Sequence, residues 1–183
     1  YYFKRISQFS NEASNLIVDK LPFNTISLPL INLLFPKAKI IFAHRNPYDT
    51  VLSCFQQSFE PNSSMANLVS LESSAYIYNQ VMEVWDIYRN SLSISYISSK
   101  YESLVLDFDQ HIKIILEFLE LDWVDTLKDY RLTALHRGKI NTPSSSQVVQ
   151  PLYNSSIAKW KNYIKYFNNC HDYLDKWSLY FGY

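Results

Sequence analysis

The sequence predicts an α/β domain built on a parallel sheet, and two observations favour this class. The stretch "AKIIFAHR" (Ala38–Arg45) is a continuous apolar run, which is typical of a strand buried on both faces. The predicted elements follow the order strand, helix, strand, helix, helix, strand, helix, which is typical of parallel strands joined by helical crossovers. A chain of 183 residues, 48% of them hydrophobic, is long enough for one domain over residues 1–183.

The first part of the chain predicts a short strand and a helix. "NLIVDKLP" (Asn15–Pro22) is an apolar run that stops at a charged pair, so we expect a strand whose end is Lys20. "TISLPLINLLF" (Thr25–Phe35) is compatible with a helix that Pro29 kinks.

The apolar run that ends at Arg45 is followed at once by signals for a helix start. Asn46 can serve as the N-cap, Pro47 as the first helical residue, and Asp49 can complement the helix dipole. We therefore expect a helix from here to about Phe59.

The rest of the chain predicts three helices and one further strand. Apolar residues at helical spacing predict a long helix over Met65–Arg89, and "SISYISSKYESLV" predicts a strand that ends near Tyr101. "DFDQHIKIILEFLEL" predicts an amphipathic helix opened by Asp107 or Asp109, and Tyr153–Phe167 predicts another helix. Two polar segments are predicted loops: 60–64 and 141–151.

Composition excludes several classes of function. Lys plus Arg and Asp plus Glu both number 17, so there is no overall positive field for nucleic acid, and any anion site must be local. Only two glycines are present, which excludes a glycine-rich phosphate loop within these residues. Cys54 and Cys170 lack metal or redox spacing, and no run reaches the length of a membrane span, so we expect free thiols, no metal and a cytoplasmic protein. Because the first residue is Tyr1, the sequence is expected to be a piece of a longer protein.

Three predicted strands end on polar side chains, namely Lys20, Arg45 and Tyr101. In an open parallel sheet, ligands bind outside the carboxyl ends of the strands, so these side chains should meet at one edge. Ser53 follows two turns into the helix after Arg45, and a guanidinium and a hydroxyl at this spacing can share one phosphate. The alternatives are a structural salt bridge for Arg45 and a hydrogen bond from Ser53 to its own i−4 carbonyl.

Four segments of the sequence resemble motifs of a known family. "KAKIIFAHRNPYDTVLSCFQQSF" resembles the 3′-phosphate-binding segment of sulfotransferases that use 3′-phosphoadenosine 5′-phosphosulfate (PAPS), with its pattern R-N/D-P-x-D-x-x-x-S. "DKLPFN" and "SSKYESLV" resemble the K-x-P-x-N and Y-E-x-L-V stretches of the tetratricopeptide-linked bacterial members. "TPSSSQVVQPLYNSSIAKW" resembles a segment found in them and in tyrosylprotein sulfotransferases. The four motifs occur in the expected order and cover roughly Asp19–Tyr163.

The resemblance implies a three-layer α/β/α fold like that of the P-loop-containing nucleotide hydrolases, with the first strand and the phosphosulfate loop upstream of residue 1. It implies PAPS as the sulfuryl donor and an acceptor hydroxyl or amine on a protein, peptide, sugar or small molecule. Fusion to upstream tetratricopeptide repeats is a further expectation. The implied catalytic residues are Lys20, which would stabilise charge on the bridging oxygen, and Ser144. The implied cofactor-binding residues are Arg45 and Ser53 at the 3′-phosphate, Tyr101 at the adenine, Gln147 and Tyr153 in the covering loop, and Lys159.

The sequence also departs from the family pattern. Cytosolic sulfotransferases have a base histidine where this chain has Pro22, so we expect the general base to lie upstream of residue 1. An arginine common in the family's version of the segment "TPSSSQVVQPLYNSSIAKW" is Val149 here. Two alternatives therefore stay open, namely a non-catalytic nucleotide-binding module and a nucleotide kinase fragment of the same fold.

Overall fold

The computed structural model describes residues 2–6, 16–57, 65–132 and 152–183. The helices and strands in these ranges are α1 (Tyr2–Ile6), α2 (Leu28–Leu34), β1 (Lys39–His44), α3 (Pro47–Gln56), α4 (Leu71–Ser91), β2 (Ser95–Lys100), α5 (Tyr101–Leu106), α6 (Phe108–Leu119) and α7 (His171–Tyr180). Short 3₁₀ helices occupy Pro22–Ser27, Met65–Leu68, Asp125–Asp129 and Lys159–Tyr166.

The sheet confirms the predicted parallel pairing. β1 and β2 run parallel with Lys39 opposite Ser95 and His44 opposite Lys100, and α3 and α4 form the connection between them. Because both strands point the same way, the residues after each strand, Arg45 and Tyr101, emerge at one edge.

Helices cover both faces of the sheet. On one face, the Trp85 ring of α4 stacks on Phe42 with centroids 3.9 Å apart and meets the edge of Tyr96 at 5.0 Å. On the other face, Ser99 hydrogen-bonds His111 of α6 at 2.9 Å. The fold is thus α/β with a parallel sheet between helices, consistent with the three-layer α/β/α arrangement that the sequence predicts.

Two apolar clusters, bridged by α4, form the core. The first joins α3, α4 and α7 with the segment before α7, and its buried members are Tyr48, Val51, Leu52, Ala75, Phe167, Cys170 and Leu174. The second fills the space between β1, α4 and α7, and its buried members are Leu28, Phe42, Met82, Trp85 and Trp177. Since α3 packs on α4 and α7 through the first cluster, the first turn of α3 has a fixed position relative to the sheet.

The predicted strand ending at Lys20 is wrong. Residues 16–21 have no regular structure, and their side chains are exposed, with Val18 at 81%. A strand requires a hydrogen-bonded neighbour, and within the described ranges β1 pairs only with β2. Pro22 then begins a 3₁₀ helix, which ends the extended segment.

Burial of β1 on both faces is also wrong. The strand alternates, with Phe42 buried while Ile41 and Ala43 are exposed. In the described residues, α6 covers that second face over β2 through Ser99. A continuous apolar run therefore predicted the strand correctly and its environment incorrectly.

Three predicted helices have different boundaries in the structure. Pro29 lies in the first turn of α2 rather than at a kink, because a proline needs no N–H there. α4 begins at Leu71, where Ser70 and Ser73 form a capping box, rather than at Met65. The segment predicted as a helix from Tyr153 is a series of turns followed by a 3₁₀ helix, and Ala158 interrupts it in the left-handed region with φ 57°.

Among the described residues, no helix has both the length and the apolar character needed to cross a bilayer. The same ranges contain no group of three or more His, Cys, Asp or Glu side chains arranged to hold a metal ion.

Candidate functional site

The turn between β1 and α3 places Arg45 at the carboxyl edge of the sheet. Asn46 caps α3, because its Oδ1 accepts hydrogen bonds from the backbone N–H of Tyr48 at 3.0 Å and of Asp49 at 3.3 Å. Pro47 is the first helical residue, as predicted. The connection from strand to helix is therefore short and rigid, and it fixes where the Arg45 side chain begins.

The guanidinium of Arg45 is held on several sides. Its Nη2 donates to the carbonyl oxygen of Ser156, and its Cζ lies 5.1 Å from the centroid of the Tyr101 ring. The Asp49 carboxylate is 3.8 Å away, beyond a direct hydrogen bond. The buried Nε–H has no hydrogen-bond partner among the described residues. A buried donor of this kind is costly unless something accepts from it.

Four of the predicted cofactor-binding residues line one small polar hollow. Its free volume is about 80 Å³, enough for several water molecules or a small anionic group. The predicted residues in its wall are Arg45, Ser53, Tyr153 and Lys159, and the other lining residues are Asp49, Leu52, Gln56, Gln57 and Ser156. Two cations, three hydroxyl-bearing residues, two amides and one carboxylate therefore surround a space next to the unpaired Arg45 N–H.

The fifth predicted residue, Tyr101, joins the hollow to β2. It is the first residue of α5, and its hydroxyl donates to the carbonyl oxygen of Tyr153 at 3.0 Å. Burial raises the pKa of Tyr101, with a further contribution from Tyr153 that Arg45 opposes, so the hydroxyl stays a neutral donor at physiological pH. The structure thus confirms that the ends of β1 and β2 converge.

Lys159 enters the hollow from the first position of the 3₁₀ helix Lys159–Tyr166, at the end of the segment 153–159. Its ammonium donates to Oε1 of Gln56 at 3.0 Å. This contact ties the segment to the last turn of α3, while Arg45 contacts the same segment through Ser156. The hollow is therefore closed on one side by residues 153–159.

Asp49 has a role that the sequence reasoning missed. Its carboxylate is buried, and its two oxygens accept hydrogen bonds from the backbone N–H of Ala158 at 2.7 Å and of Trp160 at 2.9 Å. Burial raises the pKa of this carboxyl, while the N–H of Trp160, the charge of Arg45 and the N–H of Ala158 oppose that shift. The sequence predicted only an interaction with the helix dipole, because the donors lie more than a hundred residues downstream.

The role of Glu102 was also missed: from the first turn of α5, this residue supports the turn between β1 and α3. Its Oε1 accepts from the backbone N–H of Asn46 at 3.1 Å, and its Oε2 accepts from the Tyr183 hydroxyl at 2.8 Å. The Tyr183 hydroxyl also lies 3.3 Å from Nδ1 of His44. Burial, with a smaller contribution from Lys100, lowers the pKa of His44 to about 4, so its imidazole is neutral near pH 7.

The structure does not bring Lys20 to the hollow. Lys20 lies in the exposed segment 16–21 and is absent from the residues that line the cavity. Its neighbour Asp19 accepts from the Tyr2 hydroxyl at 3.0 Å and from Nδ2 of Asn24 at 3.4 Å, which is a structural role. Ser144, Gln147 and Val149 lie outside the described residues, so their roles stay predictions.

Comparison with known proteins identifies the family. The model of the sulfotransferase family matches residues 1–125. An uncharacterized protein of Aquifex aeolicus (strain VF5) is 32% identical over 167 residues, which cover 91% of this chain and 21% of that protein. Protein-tyrosine sulfotransferase 1 of Danio rerio is 24% identical over 153 residues, which cover 81% of this chain and 42% of that protein.

The chain spans less than half of the length of either relative. The family match covers both strands, the turn that carries Arg45, and the helices that carry Ser53 and Tyr101. The segment with Tyr153 and Lys159 lies beyond the matched residues and reaches the hollow through the fold. This chain belongs to the sulfotransferase family.

Proposed function

We propose that this chain is part of a sulfotransferase that uses PAPS and transfers its sulfuryl group to a hydroxyl or amine of an acceptor. The observation that carries the proposal is the hollow between the end of β1 and residues 153–159. Arg45, Ser53 and Lys159 line it, and one buried N–H of Arg45 lacks a partner within the described ranges.

The residues of the hollow fit a phosphate group by their chemistry. A guanidinium offers parallel N–H donors that match two phosphate oxygens, a serine hydroxyl offers one more donor, and an ammonium adds charge. Arg45, Ser53 and Lys159 supply these three groups. We assign them to the 3′-phosphate, the group that distinguishes PAPS from common adenine nucleotides. In this proposal Tyr101 lies against the adenine, and Gln147 and Tyr153 belong to the covering loop.

PAPS, when bound, supplies an activated sulfuryl group whose leaving oxygen gains negative charge during transfer. In this proposal the Lys20 ammonium and the Ser144 hydroxyl stabilise that charge. Lys20 occupies an exposed segment, so the proposal requires residues 16–21 to approach the 5′-phosphosulfate end of the donor, and not the hollow assigned to the 3′-phosphate, when the donor binds. The proposal assigns no general base to the described residues.

A calorimetric titration tests the donor assignment in the full-length protein. The ligand is 3′,5′-adenosine bisphosphate, and 5′-AMP and ATP serve as comparison ligands. We expect the bisphosphate to bind more tightly than 5′-AMP and ATP. Arg45→Ala should weaken binding of the bisphosphate by about 10- to 150-fold, since a hydrogen bond to a charged group contributes roughly 1.5–3 kcal/mol.

The matched control is Arg89→Ala. Arg89 lies on α4, pairs with Asp86 at 2.6 Å, and does not line the hollow. Its substitution should leave the affinity for the bisphosphate unchanged. The donor assignment is refuted if the wild type prefers ATP, which the kinase alternative predicts, or if Arg45→Ala binds the bisphosphate as tightly as the wild type does.

One observation favours a second candidate, a nucleotide-binding module without catalytic activity. Lys20, the residue proposed to act on the leaving oxygen, lies in the exposed segment 16–21, which has no regular structure to hold its ammonium in place. This candidate predicts the same preference for the bisphosphate but no transfer of labelled sulfate from PAPS to any acceptor. Transfer that Lys20→Ala abolishes, with binding of the bisphosphate retained, would exclude it.

A further inference from the structure

Asp49 connects the first turn of α3 to the segment that closes the hollow. Its side chain is completely buried, and both of its oxygens accept backbone N–H groups. The two donors, Ala158 and Trp160, are the residues on either side of Lys159. The carboxylate therefore fixes the backbone immediately before and after one of the proposed ligand-binding cations.

The backbone at this point has an unfavourable conformation that needs support. Ala158 has φ 57° and ψ 21°, a left-handed conformation that residues other than glycine rarely adopt. Such a residue persists when surrounding contacts determine its conformation. Here the Asp49 hydrogen bond provides one contact, and the Trp160 ring provides another by stacking on Tyr48 with centroids 4.3 Å apart.

We propose that Asp49 is a positioning residue for the phosphate site, because it holds residues 158–160 so that Lys159 and Ser156 face Arg45. This inference rests on the proposed function, since it assigns a supporting residue to the same site. With Ala158 and Trp160 attached to α3, Lys159 reaches Gln56 at 3.0 Å and the Ser156 carbonyl meets the Arg45 guanidinium.

The charge of Asp49 by itself acts against an anion site. Its Oδ2 lies 3.8 Å from Nη2 of Arg45, so the carboxylate reduces the positive potential that a phosphate would meet. If the charge alone mattered, a neutral residue at this position would strengthen phosphate binding. A positioning role predicts the opposite sign, because an amide cannot accept from both backbone N–H groups.

The test compares Asp49→Asn with the matched control Asp172→Asn in the full-length protein. Asp172 also occupies the first turn of a helix, α7, but it is exposed and does not line the hollow. The probes are 3′,5′-adenosine bisphosphate and 5′-AMP, measured by calorimetry. We expect Asp49→Asn to weaken binding of the bisphosphate by about tenfold or more and to change binding of 5′-AMP much less. Asp172→Asn should change the affinity for neither ligand.

A double-mutant cycle tests whether the effect acts through Lys159. In a Lys159→Ala background, Asp49→Asn should weaken binding of the bisphosphate by a clearly smaller factor than it does in the wild type. A purely structural role would give the same factor in both backgrounds. Hydrogen exchange gives a readout that needs no ligand, since the amides of Ala158 and Trp160 should exchange faster in Asp49→Asn while those of β1 do not.

The outcomes separate this inference from the proposed function. A wild type that does not prefer the bisphosphate over 5′-AMP overturns both. A wild type with that preference, together with a folded Asp49→Asn that binds the bisphosphate equally well or more tightly, overturns the inference alone. If Asp49→Asn does not fold, Asp49→Glu keeps the charge and displaces the carboxylate by one methylene, and unchanged binding in that variant overturns the inference.

Discussion

The two buried carboxylates at the site, Glu102 and Asp49, should respond differently to the same chemical change. Each accepts two hydrogen bonds, and replacement by the isosteric amide leaves one acceptor oxygen and creates one NH₂ donor. The two partners of Glu102 are a backbone N–H of Asn46 and the hydroxyl of Tyr183. Both partners of Asp49 are backbone N–H groups, which can only donate.

The cost of each substitution can be worked out from these partners. In Glu102→Gln, the amide oxygen can keep the Asn46 N–H and the NH₂ can donate to the Tyr183 hydroxyl, which rotates to accept. We expect a loss of at most about 1 kcal/mol in the free energy of unfolding. In Asp49→Asn, one N–H faces the NH₂ group and stays unpaired, at a cost of about 1–3 kcal/mol, and the remaining bond loses its charge assistance.

Removal of a buried charge offsets part of the cost at Asp49. Burial raises the pKa of this carboxyl, which means that the folded state disfavours its ionised form. In the opposite direction, Arg45 loses the nearby negative charge of Asp49, which adds to the cost of the substitution. We therefore expect a net loss of about 2 kcal/mol for Asp49→Asn, which in a chain of 183 residues lowers the Tm by roughly 4–8 °C.

Thermal and urea unfolding at pH 7 measure both variants, with Asp172→Asn as the exposed control. The wild type, Asp172→Asn and Glu102→Gln should have similar free energies of unfolding. Asp49→Asn should be clearly less stable than all three. Equal losses for the two buried substitutions, or a larger loss for Glu102→Gln, would refute the reasoning from donor and acceptor counts.

Two further predictions concern the core and pH. Leu174→Ala empties a fully buried position on α7 and should lower the free energy of unfolding by about 2–5 kcal/mol. Leu179→Ala on the same helix, where the side chain is 83% exposed, should change it by less than about 0.5 kcal/mol. Equal effects of the two substitutions would contradict the placement of Leu174 in the core. His44 has a pKa lowered to about 4 in the fold against about 6.5 in an unfolded chain, so the unfolded state binds more protons and stability should fall as pH drops from about 6.5 to about 4. His44→Gln should reduce that slope in urea titrations at each pH, and an unchanged slope would assign the acid sensitivity to other groups.

The sequence predicted the elements whose signals are local. The run before Arg45 predicted β1, and Asn46 and Pro47 predicted the start of α3, because a strand end and a helix cap depend on neighbouring residues. The convergence of Arg45 and Tyr101 followed from a general property of parallel sheets. These predictions needed no knowledge of distant contacts.

The errors arose where a neighbour distant in sequence decides the structure. An apolar run such as residues 16–21 becomes a strand only if another strand pairs with it, and hydropathy does not report that partner. The segment from Tyr153 has residues compatible with a helix, but the left-handed conformation of Ala158 interrupts it. That conformation is stabilised by Asp49, which lies 109 residues earlier.

The same distinction separates the ligand-contacting residues of the proposed site from the residues that support them. Arg45 and Ser53 were predicted from sequence because their spacing lets a cation and a hydroxyl share one phosphate and because the segment resembles the 3′-phosphate-binding motif of sulfotransferases. Asp49 and Glu102 carry no such signal, since an acid in a first helical turn is common and its usual explanation is the helix dipole. Yet each binds a backbone N–H beside a cation of the hollow, Glu102 at Asn46 and Asp49 at Ala158. A chain with formal net charge 0 has no broad field to attract an anion, so its affinity for a phosphate must come from geometry. The acids that fix this geometry should therefore contribute to binding by holding the cations in place.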